Sequence, residues 1–374
     1  MPNKRYERTR SEVVELCHLG LDPAAFFDKV RRSLSRAVAF DGCCWLTFDP
    51  ATALPTGHIA HNSLKPEDVP VLARNEFLED DVNKLAELAR ERHPSGILSE
   101  ATGGHPERSP RFRDLLQPNG FGAEMRASFV ADGDAWGGMA MYRTVGAADF
   151  TPAERKFAAG LSPLLAEGVR RSILITSAPA AEGDDAPGLI ILDSAGVIET
   201  MNPAAKAYVD DMVSPDPASG GLPNLVHAVA FRALLAARGG DAGLARARVA
   251  TSSGKWLILH GSLIGASDEG RTAVIIEPAR SPEIASLIVS AYGLSRRERE
   301  ITQLVVRGLS TEEIAGALHL SPYTVQDHLK SIFSKVGVGN RRELVAQIFF
   351  RHYAPNMGPG TGLRPDGWFA APSG

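Results

Sequence analysis

"STEEIAGALHLSPYTVQDHLK", residues 310–330, holds two helical patterns with hardly any chain between them. Ser310 is followed three residues on by Glu313, the pattern of a capping box, and Leu309 and Ile314 flank it as a hydrophobic staple. Ser321 repeats the start, with Pro322 at the first helical position and Leu320 placed to staple against Val325. The spacing predicts one helix over 311–318 and a second over 322–336. Only His319 and Leu320 precede the second cap, which suits the sharp crossing of a helix-turn-helix.

The second helix carries Val325, Leu329, Ile332 and Val336 on one stripe, a core face. Its opposite face carries Tyr323, Gln326, Asp327, Lys330 and Ser334, and such a face can enter the major groove of DNA. A solvated surface is the commoner fate of a lone polar stripe, so the neighbouring helices decide. Ser295 with Glu298 opens another capped helix, with Ile301, Leu304 and Val305 inward and Gly308 near its end. Asn340 with Glu343 opens a fourth, "RRELVAQIFFRHY". These four make a compact all-α domain over 294–353.

The run "GLSRREREITQLVVRGLSTEEIAGALHLSPYTVQDHLKSIFSKVGVGNRREL", residues 293–344, closely resembles the DNA-binding domain of LuxR-type (GerE-type) transcription regulators. Matching features are the Ser295–Glu298 segment, Gly308-Leu-Ser310, Glu313-Ile-Ala315, Leu320-Ser321, Thr324-Val325, His328, Ile332, the Lys335–Val338 segment and Arg341. The resemblance implies that Ser321, Tyr323, Thr324, Gln326, Asp327, His328 and Lys330 face DNA, joined by Arg297, Lys335 and Arg341. Gln326 stands where many relatives have lysine, which trades a backbone contact for a base-reading one. The resemblance also implies homodimerisation through the last helix, where Val345, Ile348 and Phe349 are the candidates. Sigma-factor promoter modules have similar helix-turn-helix wording, but the 328–338 pattern and the apolar helix after it favour the LuxR type.

Charge is unevenly spread. Residues 291–353 hold nine Lys/Arg against six Asp/Glu, or +3, so the rest of a chain of net charge −4 carries −7. That asymmetry puts a DNA-facing part at the C-terminus. No apolar run reaches the ~18 residues of a membrane span. The opening "MPNKRYERTRSEVVELC" lacks a signal-peptide core, and three cysteines, two of them adjacent, suit a reducing compartment. The expected location is cytoplasmic, with no membrane partner.

Upstream of the helical domain the pattern is α+β. "GLIILDSAGVIETMNPAAKAYV" reads as strand, turn, strand and a helix capped by Asn202, and strands return at "RARVATSSGKWLILHGSLIG" and "TAVIIEPA". This layout resembles a PAS domain. His227 lies where haem-binding PAS modules carry an axial ligand, although a satisfied or exposed histidine is the ordinary reading. Earlier, a helix capped by Asp22 precedes strands at "DGCCWLTFD", "AEMRASFVADG" and "AWGGMAMYRT", and Thr151 with Glu154 caps a long exit helix. That order resembles a GAF domain. Cys43, Cys44, Trp45 and Phe48 share a strand and are natural lining for a small ligand pocket, with core packing as their default use.

The expected domains are GAF-like over 1–175, a linker over 176–188, PAS-like over 189–280, a connecting helix over 281–293 with an apolar seam at Ile284, Leu287, Ile288 and Ala291, the helix-turn-helix domain over 294–353, and a disordered tail over 354–374. The fold class is thus multidomain: two α+β sensor-type domains with antiparallel sheets, then an all-α four-helix domain. Catalytic signatures fail. "SSGKW" around Lys255 lacks the first glycine and the Ser/Thr of a phosphate loop, and no zinc spacing, His-Glu-x-x-His or nucleophile elbow is present. The expected protein is a non-enzymatic, dimeric, sequence-specific transcription regulator with duplex DNA as partner. RNA polymerase joins it if it activates, no cofactor or metal is implied, and a small-molecule effector in an upstream domain is compatible. The alternatives are a ligand-binding sensor or adaptor acting through protein contacts, and a sigma-like promoter-recognition protein.

Overall fold

Eight consecutive buried residues form β1 (Gly42–Asp49), because both of its faces are covered. The computed structural model describes residues 2–176, 186–212, 222–240, 243–265, 270–279 and 283–352, the last without 285–286 and 288–289. β1 lies second in an antiparallel sheet of order β2-β1-β5-β4-β3, with β2 at Leu54–His61, β3 at Ser95–Ile97, β4 at Phe121–Ala131 and β5 at Asp134–Thr144. Around it run α1 (Pro2–His18), α2 (Pro23–Leu34), α3 (Val69–Leu78), α4 (Leu85–Leu88), α5 (Leu98–Ala101) and α6 (Pro152–Thr176). The expected caps are formed: Asp22 accepts from the Ala25 N–H at 2.9 Å, and Thr151 with Glu154 completes a reciprocal pair at 3.3 and 2.8 Å.

Side chains on a strand alternate between faces, and that separates the proposed pocket residues. Trp45 packs at 5.3 Å from Phe27 of α2 and 5.6 Å from Phe129, and its indole N–H donates to Cys43 Sγ at 3.3 Å. Cys44, Leu46 and Phe48 point the other way, into a cluster with Leu85, Leu98, Phe112 and Leu116. The expectation that Cys43, Trp45 and Phe48 line one pocket is therefore corrected. Cys43 and Trp45 are core on one face, and Phe48 lines a cavity on the other.

The second sheet repeats the first in topology. β6 (Gly188–Leu192), β7 (Ile198–Met201), β8 (Arg246–Ala250), β9 (Trp256–Ile264) and β10 (Arg271–Pro278) run in the order β7-β6-β10-β9-β8, again 2-1-5-4-3 and antiparallel. α7 (Pro203–Met212) starts where Asn202 accepts from the Ala205 N–H at 2.8 Å. α8 (Asn224–Ala237) crosses the sheet so closely that a Cβ on Gly261 would stand 2.6 Å from the Val229 carbonyl oxygen, so glycine is required there. His227 on α8 is 4% exposed, and its Nδ1 has no hydrogen-bond partner among the described residues. Burial lowers its pKa to about 4. The ordinary reading of a satisfied or exposed histidine is corrected to a neutral core residue stacked on Phe231.

The two sheet lobes share a core and a buried ion pair. Leu54 of β2 belongs to the same apolar cluster as Ile190, Val229, Leu257 and Val274, with Phe77 of α3 packed against it. Asp49 at the end of β1 accepts from the Arg248 backbone N–H at 3.0 Å and from its guanidinium at 2.8 and 2.5 Å. The described residues of 2–176 and 186–278 accordingly form one compact unit, and those between 279 and 352 belong to a second.

That second unit holds α9 (Arg296–Val306), α10 (Thr311–Leu318), α11 (Pro322–Val336) and α12 (Arg341–His352). Its core joins Leu294, Ile301, Val305, Ile314, Val325, Leu329, Ile332, Val336, Leu344 and Ile348. Glu283, Ile284, Leu287, Ser290 and Ala291 are helical, and Ile284, Leu287 and Ala291 are buried. Ile288 of the expected seam, most of the 176–188 linker and the 354–374 tail lie outside the described residues.

Candidate nucleic-acid interface

Backbone chemistry sets the angle between α10 and α11. Ser310 and Glu313 complete their capping box, at 3.2 Å for Glu313 N–H to Ser310 Oγ and 2.6 Å for the return bond. α10 ends at His319, which takes a left-handed conformation (φ 55°) while the Leu320 N–H closes on the Ala315 carbonyl at 2.9 Å. That is a helix stop of the glycine type executed by a histidine. Ser321 then caps α11 through the Thr324 N–H at 3.1 Å, and its hydroxyl pairs with Thr324 Oγ1 at 2.9 Å. The turn is three residues long.

α11 buries Val325, Leu329, Ile332 and Val336 and exposes Tyr323, Thr324, Gln326, Asp327, Lys330 and Ser334, with His328 half-buried at the edge. Tyr323 is 82% exposed, an aromatic ring standing in solvent at the helix start. Lys330 pairs with Asp327 at 3.0 Å, three residues back. Both groups are exposed, so the pair is worth at most about 1 kcal/mol and Lys330 can exchange Asp327 for a phosphate at small cost.

Three of the cations assigned to DNA hold the domain together. Arg297 bonds Glu300 at 2.8 Å and the Leu318 carbonyl at the end of α10 at 3.1 Å. Arg341 donates to the Leu309 carbonyl, and burial lowers its proton affinity. Lys335 donates to Glu298 at 2.6 Å. Lys330, by contrast, stands exposed on the polar face of α11.

Glu298 is the functional residue that sequence reading missed. Its capping role in α9 was legible, but the same carboxylate also accepts from Ser331 Oγ at 2.6 Å and from Lys335, bracing α9 against α11. It is 4% exposed. Burial alone would raise its pKa, but the hydrogen bonds from Lys335, Ser331 and Ser295 outweigh that and lower it to about 2. The signal available in the sequence was Ser331 and Lys335, four apart on the side of α11 next to its apolar stripe.

On α12, Ile348 is 2% exposed and lies in the core, which corrects its assignment to a dimer interface. Val345 is half-buried against that core, and the Phe349 side chain lies outside the described residues.

Residues 293–348 match the family model described as "Bacterial regulatory proteins, luxR family", GerE. The transcriptional regulatory protein UhpA of Escherichia coli K12 is 37% identical over 71 residues, 18% of this chain and 36% of that protein. The HTH-type transcriptional regulator MalT of Klebsiella pneumoniae is 34% identical over 64 residues, 17% of this chain and 7% of that one. The chain thus spans about a third or less of these relatives' own length. Among solved structures, Escherichia coli SdiA is similar at 10% identity with a TM-score of 0.32, over 94% of this chain and 99% of that one. The C-terminal unit, through residues 293–348, carries a luxR-family helix-turn-helix domain.

Proposed function

We propose that this protein is a sequence-specific DNA-binding transcription regulator whose α11 enters the major groove. The observation that carries the reading is the capped, exposed face of α11, with Tyr323, Gln326 and Lys330 presented by a three-residue turn and braced from behind by Glu298. Gln326 reads a base edge, and Lys330, Thr324 and Tyr323 hold the sugar-phosphate backbone. The positive balance of residues 291–353 supports attraction to duplex DNA. Selection of duplexes from a random pool by the full chain tests it, with one recovered sequence motif as the supporting result.

The upstream lobes act as GAF-like and PAS-like sensor domains that control this unit. Their shared 2-1-5-4-3 strand order supports two versions of one sensor-type architecture. The functional protein is a homodimer joined along α12, through Val345 and Phe349 rather than Ile348. A two-fold pair would read a palindrome with half-sites about one helical turn apart. The Val345→Glu, Phe349→Glu double variant is expected to sediment as a monomer and lose the palindrome while keeping its helical content. Unchanged sedimentation would remove α12 as the interface.

A further inference from the structure

A cavity of about 180 Å³ lies inside the first unit, between the two sheet lobes. The first lobe contributes Phe48, Leu72, Phe77 and Leu85 as apolar lining, and α8 of the second contributes Asn224 and Leu235. Glu87 and Arg90 also line it and are exposed, so they mark its mouth. An apolar cavity of about 150 Å³ is enough to hold benzene, so this one takes a single ring or a short chain.

The charged side chains behind that mouth are engaged with the protein. Glu76 accepts from Arg126 at 2.9 Å and from the Leu85 N–H at 2.7 Å. Lys84 donates to the Glu79 carbonyl, and the Arg232 guanidinium carbon lies 5.2 Å from the centre of the Phe77 ring. A charged ligand would have to compete with these partners, whereas a neutral one leaves them in place. One polar group of the lining is in the opposite condition. Asn224 Oδ1 is buried and has no hydrogen-bond partner among the described residues. A carbonyl oxygen can only accept, so the group that relieves the cost of its burial is a donor.

We propose that this inter-lobe cavity binds a small neutral molecule with a ring-sized or short aliphatic body and one O–H or N–H donor. The body lies against Phe48, Leu72 and Phe77, and the donor bonds Asn224 Oδ1. α3 and α8 belong to different lobes, so one such molecule touches both and stabilises their joined state. The site does not depend on the DNA-binding reading.

The test is calorimetric titration of the full chain with phenol and with toluene, which carries a methyl group where phenol has its hydroxyl. The decisive quantity is how the phenol-to-toluene affinity ratio changes with the residue at position 224, because that comparison cancels the difference in hydration between the probes. Asn224→Leu, close to asparagine in size, removes the acceptor and is expected to lower the ratio about tenfold or more. Asn224→Asp keeps an acceptor oxygen, in the first turn of α8 where an acid is favoured, and should hold the ratio at or above the parent's. Ala86→Leu, which fills the cavity, should weaken both probes together. Four results would each overturn the site: no heat from either probe at millimolar concentration, an Asn224→Leu ratio equal to the parent's, an Asn224→Asp ratio as low as that of Asn224→Leu, or an Ala86→Leu chain that binds both probes like the parent.

Discussion

Asp49→Ala is expected to lower the stability of the first unit by roughly 3–5 kcal/mol, the range for removing one partner of a buried ion pair. Asp49 is 2% exposed and Arg248 is 7% exposed, and the carboxylate takes one backbone and two guanidinium donors from Arg248. Alanine offers no acceptor to these three donors, so the Arg248 guanidinium loses the Asp49 charge beside it. The pair ties β1 to β8, so the loss should appear as weakened cohesion between lobes. In urea, the parent unit is expected to unfold with the two lobes in one transition, and Asp49→Ala to move it to lower denaturant or split it in two. A loss below about 1 kcal/mol would show that the pair only fills space.

Glu298→Gln is expected to cost the C-terminal unit roughly 3 kcal/mol at neutral pH, the equivalent of a carboxylate pKa depressed from an ordinary value to about 2. Glutamine keeps the shape and a carbonyl acceptor, so the loss isolates the charge facing Lys335, Ser331 and the Ser295 N–H. Because the folded pKa lies below the unfolded one, this stabilisation is fully present above the ordinary glutamate range. It fades as pH falls from there through about 2. The parent should therefore lose stability across that interval and the Glu298→Gln variant should show a flatter profile, as read by thermal melts of the helical signal. Parallel pH profiles for the two chains would rule out the brace.

What the sequence made legible was local chemistry. The Ser295–Glu298, Ser310–Glu313 and Ser321 starts each act within one helical turn, and all three form as read. β1, β4 and β5 declared themselves by apolar runs. β2 did not, because "LPTGHIAH" places Pro55 and Gly57 where strand propensity is poorest, and β3 is three residues long. Helix α1 was read only as a charged segment: "PNKRYERTRSEVVELCH" hides its single inward face among exposed charges. The joint between lobes was out of reach for a different reason. Asp49 and Arg248 stand 199 residues apart, and no local pattern marks either as the other's partner. The same holds for Glu298, whose capping role concealed a second use 33 and 37 residues away. Alternation, a purely local rule, should have separated Trp45 from Phe48; sharing a strand was mistaken for sharing a face.

Whether α11 reads DNA is decided by the affinity of the full chain and two variants for the duplex that the parent selects from a random pool, followed across a salt series. Gln326→Ala should lose roughly 1–3 kcal/mol on the selected duplex and stop discriminating at one base pair per half-site. Lys330→Ala should weaken selected and unrelated duplexes alike and reduce the salt slope by about one unit per protomer. If the parent enriches no motif, or if both variants bind the selected duplex with the parent's affinity and salt dependence, α11 is not the reading helix.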